Sequence, residues 1–508
     1  MAQKSAFRMG DTSLNAALSQ GANFLRDRED IADTQELESK LWSSRGLLAA
    51  TVASHLRLET STCRILPPKF WIQGSTNLCI PVLAGNKDQG TRHRLLLRVA
   101  MPHMHAIRHY PDALDDKVNT EAATYMWMQR HCSDIRIPKL YAFAFSDGAQ
   151  FTHVDLQPWH VRVRHRFRQW LYELLKWPMV GQYVPQRSAP ETGIAFMLLE
   201  YIDRSVGKPF AFTRKKYSND PVKRTNLYHG ISRIMASLAR IPQPRIGSFR
   251  FDRERGTVSL TNRPMNVAVM VTESAGSPRV IQTGQTYGDP LTFASDMLSV
   301  FDNFLLHEPL SVLNPTDARD RLTARVMLRA LLHTFIPLER RYGPYLVQPT
   351  DLNAGNLFVD DDWNVTCMVD LEWINALPAE ALSVNPWMTP TPFDMITDEY
   401  EHYEAERNKF LAILAEIECE KRLEHNINLV RTMEQSWKSR SIWFWDSLRY
   451  TNAWEGVFED HLLTKYSTDR KLVQNLRRLS KLFCEDSETV VKRMVADARA
   501  YEAKSSKD

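Results

Sequence analysis

Hydrophobic positions along the chain change period several times, and each change predicts an element. ELESKLWSSRGLLAATVASHLRL, from residue 36, spaces Leu37, Leu41, Leu47, Leu48 and Val52 as one apolar stripe, so residues 1–62 read as a helical extension. From Cys63 the runs become short and β-like. KFWIQGSTNLCIPVL predicts two strands joined at Gly74-Ser75-Thr76, and HRLLLRVAMP predicts a third that carries Arg98. DALDDKVNTEAATYMWMQRHC returns to a helical period and contains Glu121, after which IPKLYAFAFSD and IAFMLLEYI read as a fourth and a fifth strand. Between these last two lies an insertion, 155–190, in which Arg162, Arg164, Arg166 and Arg168 alternate with Trp159, Phe167, Trp170 and Trp177.

After Asp203 the pattern is mainly helical. VKRTNLYHGISRIMASLARIP is an amphipathic helix closed by Pro242, GSFRFDRERGTVSLTN reads as a hairpin, and helical segments follow near 292–307 and 316–337. The next stretch, Leu346 to Trp373, has the most chemistry. Leu357-Phe358-Val359 and Val365 to Val369 are two apolar runs around a polar turn at Asp360 to Asn364, a tight hairpin. Asp351 and Asn356 precede the first strand and Asp370 follows the second. Antiparallel strands return the chain to its starting end, so the three side chains should be neighbours. Asn356 and Asp370 then supply hard oxygen ligands suited to Mg²⁺, which takes one or two protein ligands and completes its octahedron with water and phosphate. Asp351 is left to orient an attacking hydroxyl or amine. Beyond Trp373 the chain reads as helical to its end, with an acidic segment at Asp398, Glu399, Glu401, Glu404 and Glu406.

Composition narrows the class. The 508 residues and 58.7 kDa allow two or more domains, and 44% hydrophobic with 24% charged residues is the balance of a globular chain with a sizeable core. A net charge of +4 is too small for a general polyanion binder, so no nucleic-acid partner is expected. Six scattered cysteines form no C-x-x-C pair and predict reduced thiols rather than a zinc site or a disulfide framework. The N-terminus lacks the apolar core of a signal peptide, and no run approaches a membrane span. The expected location is therefore cytoplasmic. The basic, aromatic insertion has the composition of a single-stranded nucleic-acid or membrane-surface contact, and equally of a helix lying on a domain surface.

D-x-x-x-x-N followed by a hairpin and a second Asp resembles the catalytic segment of protein-kinase-like phosphotransferases. The likeness is to the aminoglycoside phosphotransferase and choline kinase branch and, within it, to a large group of fungal proteins. The resemblance implies an α+β, bilobal protein-kinase-like fold, with an N-lobe over 63–202 built on a small antiparallel sheet and a larger helical C-lobe over 203–508. It further implies ATP and Mg²⁺ as cofactors and a small-molecule acceptor substrate. Arg98 would hold the nucleotide phosphates and Glu121 would fix Arg98. The turn carrying Ser75, together with Asn77, would cover the phosphates, and the backbone at Glu200, Tyr201 and Ile202 would bind adenine. Glu372 in Asp370-Leu371-Glu372 would assist at the metal. One departure stands out: Pro349-Thr350-Asp351 occupies the place of the family's H-G-D, whose histidine organises the loop. A kinase-like scaffold that binds a protein partner without turnover is the rival expectation.

Overall fold

In a computed structural model, the protein is described over residues 24–85, 93–214, 220–384, 396–397, 399–449, 457–465, 475–484 and 486–505. Asp398 and the first 23 residues of the helical extension lie outside these. The chain divides into two compact units, one formed by Leu25–Val206 with Phe249–Thr261, the other by Gly207–Ser248 with Asn262–Asp508. It is a mixed α+β chain whose sheets are antiparallel.

The first unit is organised by an antiparallel sheet. Its strands are β1 (Cys63–Ile65), β2 (Ile72–Gln73), β3 (Asn77–Ala84), β4 (His93–Ala100), β5 (Leu140–Ala144), β6 (Gln150–His153), β8 (Tyr183–Pro185) and β9 (Phe196–Glu200). They run in the order β1-β3-β4-β9-β5-β6-β8, with β2 on β3. Near-continuous apolar runs in NLCIPVLA and HRLLLRVA form β3 and β4, which pair along their whole length, from Asn77 opposite Ala100 to Ala84 opposite His93. That register sets Arg98 between Cys79 on β3 and Met197 on β9.

Helices α1 (Phe24–Ser43) and α2 (Arg45–Leu56) bury Leu41, Leu48 and Val52 against this sheet. Leu47, expected on the same stripe, is exposed: helical bonding continues through Ser44, and one residue is about 100° of rotation, so Leu47 falls off the face that Leu41, Leu48 and Val52 share. His55 of α2 is fully buried, with its ring nitrogens 2.6 Å from Thr152 Oγ1 and 2.9 Å from Gln150 Oε1 on β6. Burial holds its pKa down at about 4.

Helix α3 (Ala113–His131) is buried at almost every position from Ala113 to Met128. It is covered by β5 and β9 and also by a hairpin from later in the chain, β11 (Ser248–Asp252) and β12 (Thr257–Asn262). The Asn119 amide pairs with both backbone groups of Phe251, at 2.9 and 2.8 Å, and Phe249 stacks on Trp127. β12 extends the hairpin by pairing with β7 (Met179–Val180), which follows α4 (Trp159–Leu174), the helix of the basic insertion.

The second unit is mainly helical. Three of its helices open on Asp-Pro or Asn-Pro, the pairing that supplies a capping oxygen and a first-turn residue needing no N–H partner. These are α5 (Pro221–Ala239, capped by Asp220), α7 (Pro290–His307, capped by Asp289) and α8 (Pro315–Leu331, capped by Asn314), while α6 (Val267–Ser274) is capped by Asn266. Helix α9 (Tyr400–Glu420) packs along α5. Its acidic residues include internal partners: Glu406 accepts from Tyr228 at 2.6 Å and Glu404 from the Trp437 indole at 2.8 Å.

Four short strands follow α8: β13 (Leu346–Pro349), β14 (Leu357–Val359), β15 (Val365–Met368) and β16 (Ile374–Leu377). β13 pairs with β16, and β14 pairs with β15 and with β10 (Lys208–Pro209). At Gly230 of α5 a side chain would collide with Val365, so glycine is what lets the helix approach the β14–β15 hairpin. The turn of that hairpin is polar but anchored. Asp360 accepts from the backbone of Asp362 and Asn364, and Trp363, at φ +63°, buries its ring edge-on to Phe210.

Candidate active site

The residues singled out in the sequence fall into two sets, one in each unit. In the first unit the strand register turns Arg98 toward α3, where its guanidinium pairs with Glu121 Oε1. Lys117, one helical turn before Glu121, reaches the other carboxylate oxygen at 3.1 Å. Lys117 also donates to Asn77 Oδ1 at 2.9 Å, and the Asn77 amide donates to Thr76 Oγ1 at 2.7 Å. Arg98, Lys117 and Glu121 are 8%, 3% and 0% exposed. A buried charged network of this kind persists only if its members are mutually satisfied.

Asn77 is therefore part of the Arg98 network rather than of an open turn, whereas Ser75 lies exposed in the Gly74–Thr76 turn. Glu200 ends β9, and its carboxylate is taken by Arg136 at 2.8 Å and the Lys139 backbone N–H at 3.2 Å.

In the second unit, the loop between β13 and β14 is held by its own polar groups. Asn356 Nδ2 donates to the Asp351 carbonyl at 3.0 Å, and the Val369 N–H donates to the Asn356 carbonyl at 2.9 Å. These two bonds draw the backbone of Asp351, Asn356 and Val369, the residue before Asp370, together. The first bond also turns Asn356 Oδ1, the oxygen able to bind a metal, away from that carbonyl. Asp370 has φ +64°, a left-handed conformation that Asp tolerates better than most residues. Carboxylate oxygens of Asp370 and Glu372 lie within 4.8 Å of one another. These two carboxylates and the Asn356 carboxamide offer only oxygen donors, the chemistry that suits Mg²⁺.

The pKa of Asp351 is raised above the ordinary carboxylate value. Burial is the main cause, the negative charge of Glu372 adds to it, and a weak bond from the Asn353 amide at 3.4 Å opposes it.

Pro349, where the resembled family has histidine, ends β13 opposite Ile374. The loop beside it is braced by Thr350, whose N–H and hydroxyl both donate to the Trp373 carbonyl at 2.8 Å. Asn375 donates to the same hydroxyl at 3.4 Å and to the Met265 carbonyl at 2.7 Å, while its own oxygen accepts from Ser248 and from the Met265 N–H. Sequence reasoning missed Lys117, Thr350 and Asn375. Lys117 had one signal, its position four residues before Glu121. The other two had none, because their partners are groups distant in sequence.

No family model matches the chain, and no curated protein matches it in sequence. Among solved structures it is similar to the GDP complex of a mutant aminoglycoside 2'-phosphotransferase-IIIa, at 11% identity and a TM-score of 0.34, over 87% of this chain and 93% of that one. All six cysteines are free thiols. Among the described residues no helix is long and apolar enough to cross a membrane.

Proposed function

We propose that the chain is a phosphotransferase of the aminoglycoside phosphotransferase and choline kinase type, moving the terminal phosphoryl group of ATP to a hydroxyl or amine of a small molecule. The observation that carries this reading is the Asp351–Asn356–Val369 bonding, which gathers a carboxylate, a carboxamide and the Asp370–Glu372 pair on one braced loop and hairpin. The acceptor oxygen or nitrogen forms a bond to the γ-phosphorus, the bond to the oxygen bridging to the β-phosphate breaks, and ADP leaves. Mg²⁺, when bound, neutralises charge on the phosphates. Asn356, Asp370 and Glu372 are the residues that would hold it.

Asp351 positions the acceptor and takes up its proton. Its raised pKa suits that task, because a base nearer the working pH holds the proton better than an exposed carboxylate of pKa ~4. Arg98, held by Glu121 within the Lys117 network, binds the nucleotide phosphates. Pro349 is the feature that favours a non-catalytic scaffold. The Thr350–Trp373–Asn375 brace supports the catalytic reading, since it fixes the loop without a histidine.

The test is Mg²⁺-ATP binding by thermal shift, followed by ADP release with a panel of amines, amino alcohols and sugars. Binding with turnover that disappears in Asp351→Asn is expected. Nucleotide binding without turnover on any acceptor would favour the scaffold, and no binding at all would overturn the assignment. Asp370→Ala is expected to abolish the Mg²⁺-dependent part of the affinity.

A further inference from the structure

The proposed chemistry leaves the basic insertion unused, and the insertion forms an uncommon surface. One side of α4 is committed to the protein. His165 is buried and its ring Nε2–H donates to the Gly181 carbonyl at 2.8 Å, while Arg168 donates to the Arg255 carbonyl and stacks on Tyr172. The opposite side carries Trp159, Val163, Phe167, Trp170 and Leu174, spaced by four, four, three and four residues and so forming one stripe at about 3.6 residues per turn. These side chains are 70%, 56%, 61%, 56% and 64% exposed, and Trp177 just past the helix is 54% exposed. Single exposed apolar residues are ordinary, but a continuous stripe of them along a helix marks an interaction face.

The stripe is bordered by cations. Arg162, Arg164 and Arg166 are exposed and form no ion pair with any described residue, whereas the helix's one acidic residue, Glu173, is already paired with Arg130. We propose that α4 lies in the plane of an anionic lipid bilayer, with the Trp159–Leu174 stripe sunk to the headgroup boundary and the arginines on lipid phosphates and carboxylates. The tryptophans suit that depth, where an apolar ring and a polar N–H are both satisfied. The helix would lie on the membrane and not span it.

Charge and side-chain type decide against two other occupants. A two-fold pairing with a second copy would set the arginine rows of both copies against each other. Single-stranded nucleic acid needs stacking platforms along a basic groove, and here the aromatic rings share a convex face with Val163 and Leu174, on which bases do not stack.

The experiment is flotation of the full chain with vesicles of phosphatidylcholine alone or with about 30% phosphatidylserine, at low and high salt. Binding to the anionic vesicles that weakens with salt is expected. R162Q/R164Q/R166Q should lower the partition about a hundredfold, at ~1 kcal/mol per basic side chain, and W159S/F167S/W170S should abolish it. Because all six positions are exposed, both variants should melt with the wild type. Absence of flotation, or equal flotation with both vesicle types in all three proteins, would overturn the proposal. A dimer in light scattering that W159S/F167S/W170S dissociates would reassign the face to a second copy. Poly(U) binding lost in that variant, with no vesicle binding in the wild type, would reassign it to RNA.

Discussion

Replacing Glu121 by glutamine tests the core of the proposed nucleotide site. The substitution keeps the shape of the side chain but removes a carboxylate that Arg98 and Lys117 both contact. At 8% and 3% exposure neither cation has ready access to water. Breaking a buried pair from one side costs about 3–5 kcal/mol. For a unit of 150–250 residues that corresponds to a fall of about 6–20 °C in melting temperature. Thermal and urea unfolding followed by circular dichroism measure it, with each transition compared separately because two units need not unfold together. R98M/K117M/E121M, which removes the charges together, should recover most of the loss, since a hydrophobic replacement of a buried ion pair is commonly neutral or better. The same E121Q protein should bind ATP at least about tenfold more weakly, ~1.4 kcal/mol, through a misplaced Arg98. A variant that melts within about 1 kcal/mol of the wild type would refute the reasoning, because the network would then behave as a hydrated surface pair. Normal ATP affinity in a destabilised variant would separate the structural role of Glu121 from the nucleotide.

Three further outcomes follow from the second unit. Asp351→Asn should raise stability at neutral pH while removing turnover: the folded-state pKa of Asp351 is raised, so its ionisation opposes folding as pH climbs from the unfolded value through the folded one. The melting difference between variant and wild type should therefore grow with pH over that window and then level off. Thr350→Val should cost about 1–3 kcal/mol by deleting a buried hydroxyl that bonds Trp373 and Asn375, and should lower kcat more than it weakens ATP binding. Asp446, buried at 5% exposure, has a pKa pushed up to about 6 by desolvation that Arg449, 3.8 Å away, only partly offsets. Asp446→Asn should gain at most about 3 kcal/mol at pH 7, with the gain vanishing below pH ~4, as equilibrium unfolding across pH would measure.

The parts legible in the sequence are those whose signal is local. Short apolar, β-like runs in NLCIPVLA and HRLLLRVA were enough for β3 and β4, and the apolar runs around Asp360–Asn364 for the β14–β15 hairpin. The Asp-Pro and Asn-Pro steps mark helix starts for equally local reasons. Helix α3 was also found, but its surroundings were not. It is buried on nearly all sides because a hairpin more than a hundred residues later covers it, so a Lys117–Glu121 spacing typical of a solvated helix face is a buried contact. Strands β6, β7 and β8 were hidden for a different reason: they are four, two and three residues long and flank a strongly amphipathic helix that dominates any window containing them. In the candidate site, carboxylates and amides announced themselves by type. The brace that holds them depends on carbonyls and on Asn375, which a sequence presents as ordinary residues.

The left-handed backbone at Asp370 sets stability and chemistry in opposition at a single position. Glycine reaches φ +64° without a steric cost, and an aspartate there spends part of the fold's stability on keeping a carboxylate beside Glu372. Selection of this protein for heat resistance alone should thus drift toward glycine at 370, while selection that also requires the proposed phosphoryl transfer should hold the aspartate. Laboratory evolution under the two regimes would turn that residue into a recorder of whether the hairpin is still in use.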